Sequence, residues 1–130
     1  MIYNESEYKV VYFKKFDTDE VPVKTYIKNL HRKERAKIRK YIEYLRQSNG
    51  YLDEPYSRHI RGKIRELRVD FAKNRHRIFY FTFVGKNIIL LHAFLKKTVK
   101  TPETEIEKAE VNYNQVIINK KSYEEYKEKI

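Results

Sequence analysis

The segment Arg75 to Pro102, RHRIFYFTFVGKNIILLHAFLKKTVKTP, constrains the fold most. Two apolar runs, Arg77 to Val84 and Asn87 to Leu95, are separated only by Gly85 and Lys86. Aromatic and β-branched residues at that density favour strands, and a short glycine-containing connection favours an antiparallel hairpin. A hairpin so apolar belongs in a core. Cations nevertheless crowd both its ends, and His92 interrupts the second run.

The rest of the chain supplies what such a hairpin needs for cover. Tyr8 to Phe13, YKVVYF, reads as a strand opening the sheet. After DTDEVP, where Asp and Thr are available as caps and Pro22 suits a first helical turn, Val23, Tyr26, Ile27 and Leu30 mark one helical face. Ile38, Tyr41, Ile42 and Leu45 mark a second, ended by Asn49-Gly50, and the charges of this helical hairpin read as a solvated face. YLDEPYSRHIRG has no sustained period and is expected to be a loop. Lys63 to Val69 alternates well enough for a third strand before the hairpin. A final helix follows, with Thr101 expected as N-cap, Pro102 at its first position and Ile106, Ala109, Tyr113 and Val116 on one stripe. The expectation is an α+β fold: a small, mainly antiparallel sheet of an N-terminal strand plus three consecutive strands, packed with an N-terminal helical hairpin and a C-terminal helix. One domain spans 1–119, and 120–130 form a charged tail.

Composition narrows the function. With 130 residues, 41% of them hydrophobic, twelve Tyr and seven Phe, the chain is suited to one core. No apolar run is long enough to span a bilayer and MIYNESEYKV lacks a signal-peptide core, so a cytoplasmic protein without membrane contact is expected. Zero cysteine excludes disulfides and thiol chemistry, and His31, His59, His76 and His92 show no zinc-ligand spacing, so neither metal nor cofactor is expected. The net charge is +11, and between Arg58 and Lys100 twelve Lys/Arg stand against only Glu66 and Asp70. A basic field so localised fits a polyanion, nucleic acid first and an acidic protein second.

Alternation places Ile64, Glu66 and Arg68 on one face of their strand and Arg65, Leu67 and Val69 on the other. In the last strand it groups Ile88, Leu90, His92, Phe94 and Lys96 against Ile89, Leu91, Ala93 and Leu95, the second set being purely apolar and expected to meet the helices. The first set turns from apolar to histidine, aromatic and cation, so a polar site is expected at that corner. Glycine-rich phosphate loops, Gly-x-Ser-x-Gly and dinucleotide fingerprints are absent from the sequence. Acid–base chemistry with cationic stabilisation remains, which suits RNA cleavage because the 2′-hydroxyl is itself the nucleophile. His92 is the proton-transfer candidate, Lys96, Lys97 and Lys100 are candidates for holding the backbone, and Phe94 for stacking on a base. Arg61, Lys63, Arg65, Lys73 and Arg75 are further RNA-binding candidates.

The motifs IRELRVD, RHRIFYF and LLHAFLKKTVKTP followed by EIEKA, in this order of elements, resemble the RelE/ParE toxin superfamily, closest to its phage-derived HigB-like branch. The resemblance implies a RelE-like fold and a type II toxin–antitoxin toxin, an endoribonuclease (mRNA interferase) that cleaves mRNA on the ribosome and inhibits translation. The implied partners are mRNA, the ribosome and a helix-turn-helix antitoxin of the HigA kind. It carries phosphate-contacting roles onto Arg68, in ELR, and Arg77, in HRIFY, while His92, Lys96 and Lys97 match the motif's polar residues. Where RelE-type enzymes commonly place a basic residue two before the ELR arginine, this chain has Glu66, so that general base does not transfer. A non-catalytic ParE-like toxin or a basic nucleic-acid-binding module is the alternative.

Overall fold

The computed structural model describes residues 6–83 and 85–123. It contains strands β1 (Lys9–Tyr12), β2 (Ser57–Arg61), β3 (Ile64–Phe71), β4 (Asn74–Phe83) and β5 (Asn87–Leu95), and helices α1 (Pro22–Lys28), α2 (Arg32–Gln47) and α3 (Glu103–Ile118). The strands form one sheet in the order β1-β5-β4-β3-β2, with β1 parallel to β5 and every other pair antiparallel.

Five strands rather than four build the sheet. β2 lies in the segment expected to be a loop, because an edge strand needs no apolar alternation: Arg58, His59 and Arg61 are exposed, and the strand is defined by its pairing with β3. The end of the β4 prediction, Val84, lies outside the described residues, as does the tail beyond Tyr123. The core reaches past the expected boundary at 119, since residues 120–123 are helical and buried Tyr123 joins the core, its hydroxyl accepting from Lys14 N–H at 3.3 Å.

Both faces of the sheet are covered. Val23 and Ile27 of α1 and Ile38, Ile42 and Leu45 of α2 pack on Leu67, Val69, Ile78, Tyr80, Ile88 and Leu90. Ile106, Ala109 and Val116 of α3 pack on Ile64, Phe79, Phe81, Ile89 and Leu91 on the other face. The stripe expected for α3 is thereby realised, but its start differs: Pro102 is the N-cap residue, with no side-chain cap bond, and Thr101 lies before it. Val21, likewise without a side-chain cap bond, rather than Asp or Thr precedes α1, and His31 Nδ1 caps α2 by accepting from Lys33 N–H.

The alternation expected for β5 breaks in the middle. Tyr80 pairs with Leu90 but Phe79 pairs with His92, so Leu91 is an extra residue in β5. Such a bulge reverses which side alternate residues face. Ile88 and Leu90 therefore point to α1 and α2, whereas His92 and Phe94 point to the α3 side with Ile89 and Leu91; the expected grouping of Ile88, Leu90, His92, Phe94 and Lys96 on one face is corrected accordingly. Buried Asn112 of α3 donates to the Leu91 carbonyl at 2.8 Å, satisfying the backbone where the ladder is broken.

Candidate active site

The bulge matters because it delivers the end of β5 to the face that carries the arginines. On this face the register forms two rows across the sheet: Arg58, Glu66, Phe79 and His92 in one, and Arg68, Arg77 and Phe94 in the next. Lys96 follows β5, fixed by its backbone N–H donating to the Arg75 carbonyl at 2.8 Å. Arg68 and Arg77 sit on the unbroken β3–β4 ladder, so these two cations are set by backbone pairing rather than by loops.

Glu66 stands at the centre. It is 1% exposed, its Oε1 lies 3.7 Å from Arg68 Nε, and its Oε2 has no hydrogen-bond partner. Burial pushes its pKa up, against the pull of Arg77, Arg68, Arg58 and Lys96. Arg77 is also 1% exposed; it donates to Asp70 Oδ1 at 2.7 Å and to the His76 carbonyl at 3.0 Å, while its Nε is unpaired. Lys96, 8% exposed, has its pKa lowered by burial first, with Glu66 opposing and Arg77, Arg68 and Arg75 adding to the depression.

Lys96 opens onto a cleft of about 560 Å³ between β2, the 96–101 segment and the start of α3, lined also by Arg58, Lys100, Thr101 and Ile106. Buried guanidinium and carboxylate atoms left without partners, beside a titratable amine in a cationic cleft, form an arrangement suited to an anionic ligand and to proton transfer.

The other residues singled out by sequence are placed less uniformly. His92 shares a 2.6 Å hydrogen bond with Glu105 of α3 and stacks on Phe94 at 5.9 Å and 17°. It lines a different groove, with Lys15, Tyr26 and Lys108, and burial lowers its pKa while Glu105 opposes. Phe94 is 8% exposed and 5.3 Å from Phe79, so its ring serves the core rather than a base. Arg61 is engaged by Glu103 at 2.6 Å and Glu110 at 3.2 Å, tying β2 to α3. Arg65 lies on the opposite face, donating to Ser57 Oγ and covering the Tyr51 ring at 4.6 Å. Lys63 and Lys73 sit in exposed turns at opposite ends of β3; Arg75 flanks the site, and Lys97 and Lys100 are exposed beyond β5. His76 faces the other side, between Tyr26 Oη at 2.7 Å and Glu34 Oε2 at 2.6 Å, and burial with Glu34 raises the Tyr26 hydroxyl to about 12.

Sequence reasoning named neither Glu66 nor Arg58 as part of the site. The signal was the alternation that already set Glu66 on the face of Arg68; its cation ring is visible only once the register of β2 and β4 against β3 is known.

Fold and site together define a small α+β protein with a five-stranded mixed sheet and a cationic site centred on a buried carboxylate. Residues 25–114 match the family model described as Phage derived protein Gp49-like, and the chain belongs to that family, which is associated with RelE-like toxins. No curated protein matches the chain. Among the described residues no helix is long and apolar enough to cross a membrane.

Proposed function

We propose that this protein is the toxin of a type II toxin–antitoxin pair, a HigB-like endoribonuclease acting in the cytoplasm on mRNA, with the ribosome as platform and a helix-turn-helix antitoxin as its inhibitor. The observation that carries the reading is the register of Arg68 against Arg77 beside buried Glu66, with Lys96 at the mouth of the cleft. Arg68 and Arg77 neutralise the scissile phosphate as charge develops on it, and Glu66 holds the cations together in the absence of RNA. The 2′-hydroxyl attacks the adjacent phosphorus, its proton passes to the neutral amine of Lys96, and the bond to the 5′-oxygen breaks. The 5′-oxygen takes a proton from solvent water, leaving a 2′,3′-cyclic phosphate and a 5′-hydroxyl, and the Lys96 ammonium returns its proton to solvent.

Lys96 replaces His92 as the proton-transfer residue in this reading, because His92 is held by Glu105 and lines another groove. Expression of the chain alone in bacteria tests the proposal: growth arrest with message fragments ending in cyclic phosphate is expected. Arrest with intact messages in primer extension would remove the nuclease and favour a toxin that acts by binding.

A further inference from the structure

Helix α2 carries seven Lys/Arg and two Glu, a net of +5, on the side of the sheet away from the candidate active site. Both carboxylates are occupied internally: Glu34 by His76 and Asn74, and Glu43 by Arg46 and Gln47. The cations of its outer stripe therefore have no acidic counterpart on the helix. Lys33, Lys37, Tyr41 and Tyr44 follow one another at helical spacing, with Lys40 beside them. Tyr44, Tyr51 and Tyr56 are 43%, 57% and 49% exposed, which is unusual for rings in a chain with a well-filled core.

These rings and cations interleave. Tyr41 meets Tyr44 at 5.7 Å, tilted by 43°, and Tyr56 at 6.1 Å, edge-on at 64°. Lys37 lies over Tyr41 at 5.6 Å, Lys40 over Tyr44 at 5.8 Å, and Arg65 over Tyr51 at 4.6 Å. Exposed aromatic rings flanked by cations offer stacking for bases and charge for phosphates at once. Asp53 and Glu54, in the loop between Tyr51 and Tyr56, disfavour phosphates there and so set a polarity: backbone along α2, bases toward the tyrosines. The surface is also joined to the active site, since Arg68 N–H donates to the Tyr56 carbonyl at 2.9 Å across the β2 edge.

We propose that the outer face of α2 and the 51–56 loop form a second nucleic-acid surface, which holds a single-stranded RNA segment distinct from the scissile phosphate by stacking bases on Tyr44 and Tyr56 and pairing phosphates with Lys37 and Lys40. The proposal rests on the RNA-directed reading above, but it is tested without cleavage. A fluorescein-labelled 2′-O-methyl RNA 12-mer, which lacks the attacking hydroxyl, is titrated with the full chain and anisotropy is followed from low to moderate salt. Lys37→Gln/Lys40→Gln is expected to reduce the slope of log affinity against log salt by about 1.4, the release expected for two phosphate contacts on a single strand. Tyr44→Ala/Tyr56→Ala is expected to weaken binding at least tenfold, and Tyr44→Phe/Tyr56→Phe to restore it, because stacking needs the ring and not the hydroxyl. Lys40, Tyr44 and Tyr56 are exposed, Lys37 is half-buried with its amine donating to the Asp70 carbonyl, and circular dichroism checks that each variant folds.

Affinity and salt slope unchanged in both loss variants would overturn the proposal, whatever the cleavage assay gives. Tighter binding of a polyglutamate peptide than of the RNA, lost in the Lys37/Lys40 variant, would also overturn it and mark the face as one for an acidic protein. A parent chain that cuts no message yet binds the oligonucleotide through α2 supports this surface and removes only the nuclease.

Discussion

Arg68 and Arg77 occupy directly opposite positions on β3 and β4, so two like charges face each other across neighbouring strands on the α3 side of the sheet. Opposed like charges destabilise a ladder, and this pair is compensated by Glu66 beside Arg68 and by Asp70 on Arg77. A local arrangement that works against folding marks a place where the sequence serves something else, and here it concentrates positive charge where a phosphate would be received.

If that charge stabilises the transition state, Arg77→Ala loses roughly 2–4 kcal/mol of stabilisation, a rate fall of about 10² to 10³. Arg77→Lys recovers part, because a point charge does not reproduce a guanidinium fork. Arg77 is buried, so Arg77→Met, closer in volume, is measured beside the alanine variant to separate catalysis from packing. Single-turnover cleavage on programmed ribosomes gives the rates and circular dichroism the fold. A folded Arg77→Met protein that cuts at the parent rate would leave Arg68 as the phosphate contact.

Glu66 links the site to stability. Its folded-state pKa is raised above 4.5, chiefly by burial, so the native state holds this proton more tightly than the unfolded chain does. The associated stability is present below the unfolded value and is lost as pH rises through the folded one. Glu66→Gln, which remains neutral, is expected to match the parent in urea midpoint near pH 4 and exceed it near pH 7. Equal midpoints at both pH values would mean that the four surrounding cations fully offset the burial. The same change removes the charge that opposes the depression of Lys96, so the Lys96-dependent limb of the rate profile moves to lower pH.

The turn after α2 offers a test of the fold alone. Gly50 has φ +84°, and a Cβ there would lie 2.5 Å from Thr82 Oγ1. Its carbonyl also accepts from the buried Tyr80 hydroxyl at 3.3 Å. Gly50→Ala therefore combines a left-handed backbone with a steric clash and is expected to lose about 2–4 kcal/mol in urea denaturation. Asn49→Ala, at φ 60° without the buried contact, is expected to lose about 1 kcal/mol. A Gly50→Ala midpoint equal to the parent's would mean that the turn relaxes away from Thr82.

Particular residues explain how much of this was readable in advance. Helical periods at Val23 to Leu30, Ile38 to Leu45 and Ile106 to Val116, and the Gly85-Lys86 turn, are local signals, and each matches an observed element. β2 was not legible because an exposed edge strand takes its identity from its partner, and Leu91 was not because a bulge is a property of two strands at once. Lys96 was nameable by strand pattern and Arg68 and Arg77 through the family resemblance, and the three lie together around Glu66; His92 shared the strand pattern but stands beyond Phe79 and Phe94 from the arginines. Glu66 looked like a departure from a motif until the register surrounded it with cations.

Lys96 and His92 finally make opposite predictions for the proton transfer. Lys96 has its pKa lowered from 10.5, so its neutral form gains population at lower pH than an exposed lysine's, and the cleavage rate should rise with pH as it deprotonates. Lys96→Arg keeps the charge in the cleft but removes the titration; it is expected to bind RNA, cut about 10² or more times slower, and lose that rising limb. His92 has a lowered folded-state pKa, so its contribution to stability is present above its unfolded value of 6.5 and is lost as pH falls through the folded one. His92→Gln should therefore cut at close to the parent rate while weakening the fall in thermal stability on acidification. Cleavage and thermal melts of both variants across pH 5 to 9 separate the roles. A His92→Gln protein that is folded, slow and missing a limb of the rate profile, beside a Lys96→Arg protein of parent activity, would return proton transfer to the histidine and require His92 to release Glu105 when RNA binds.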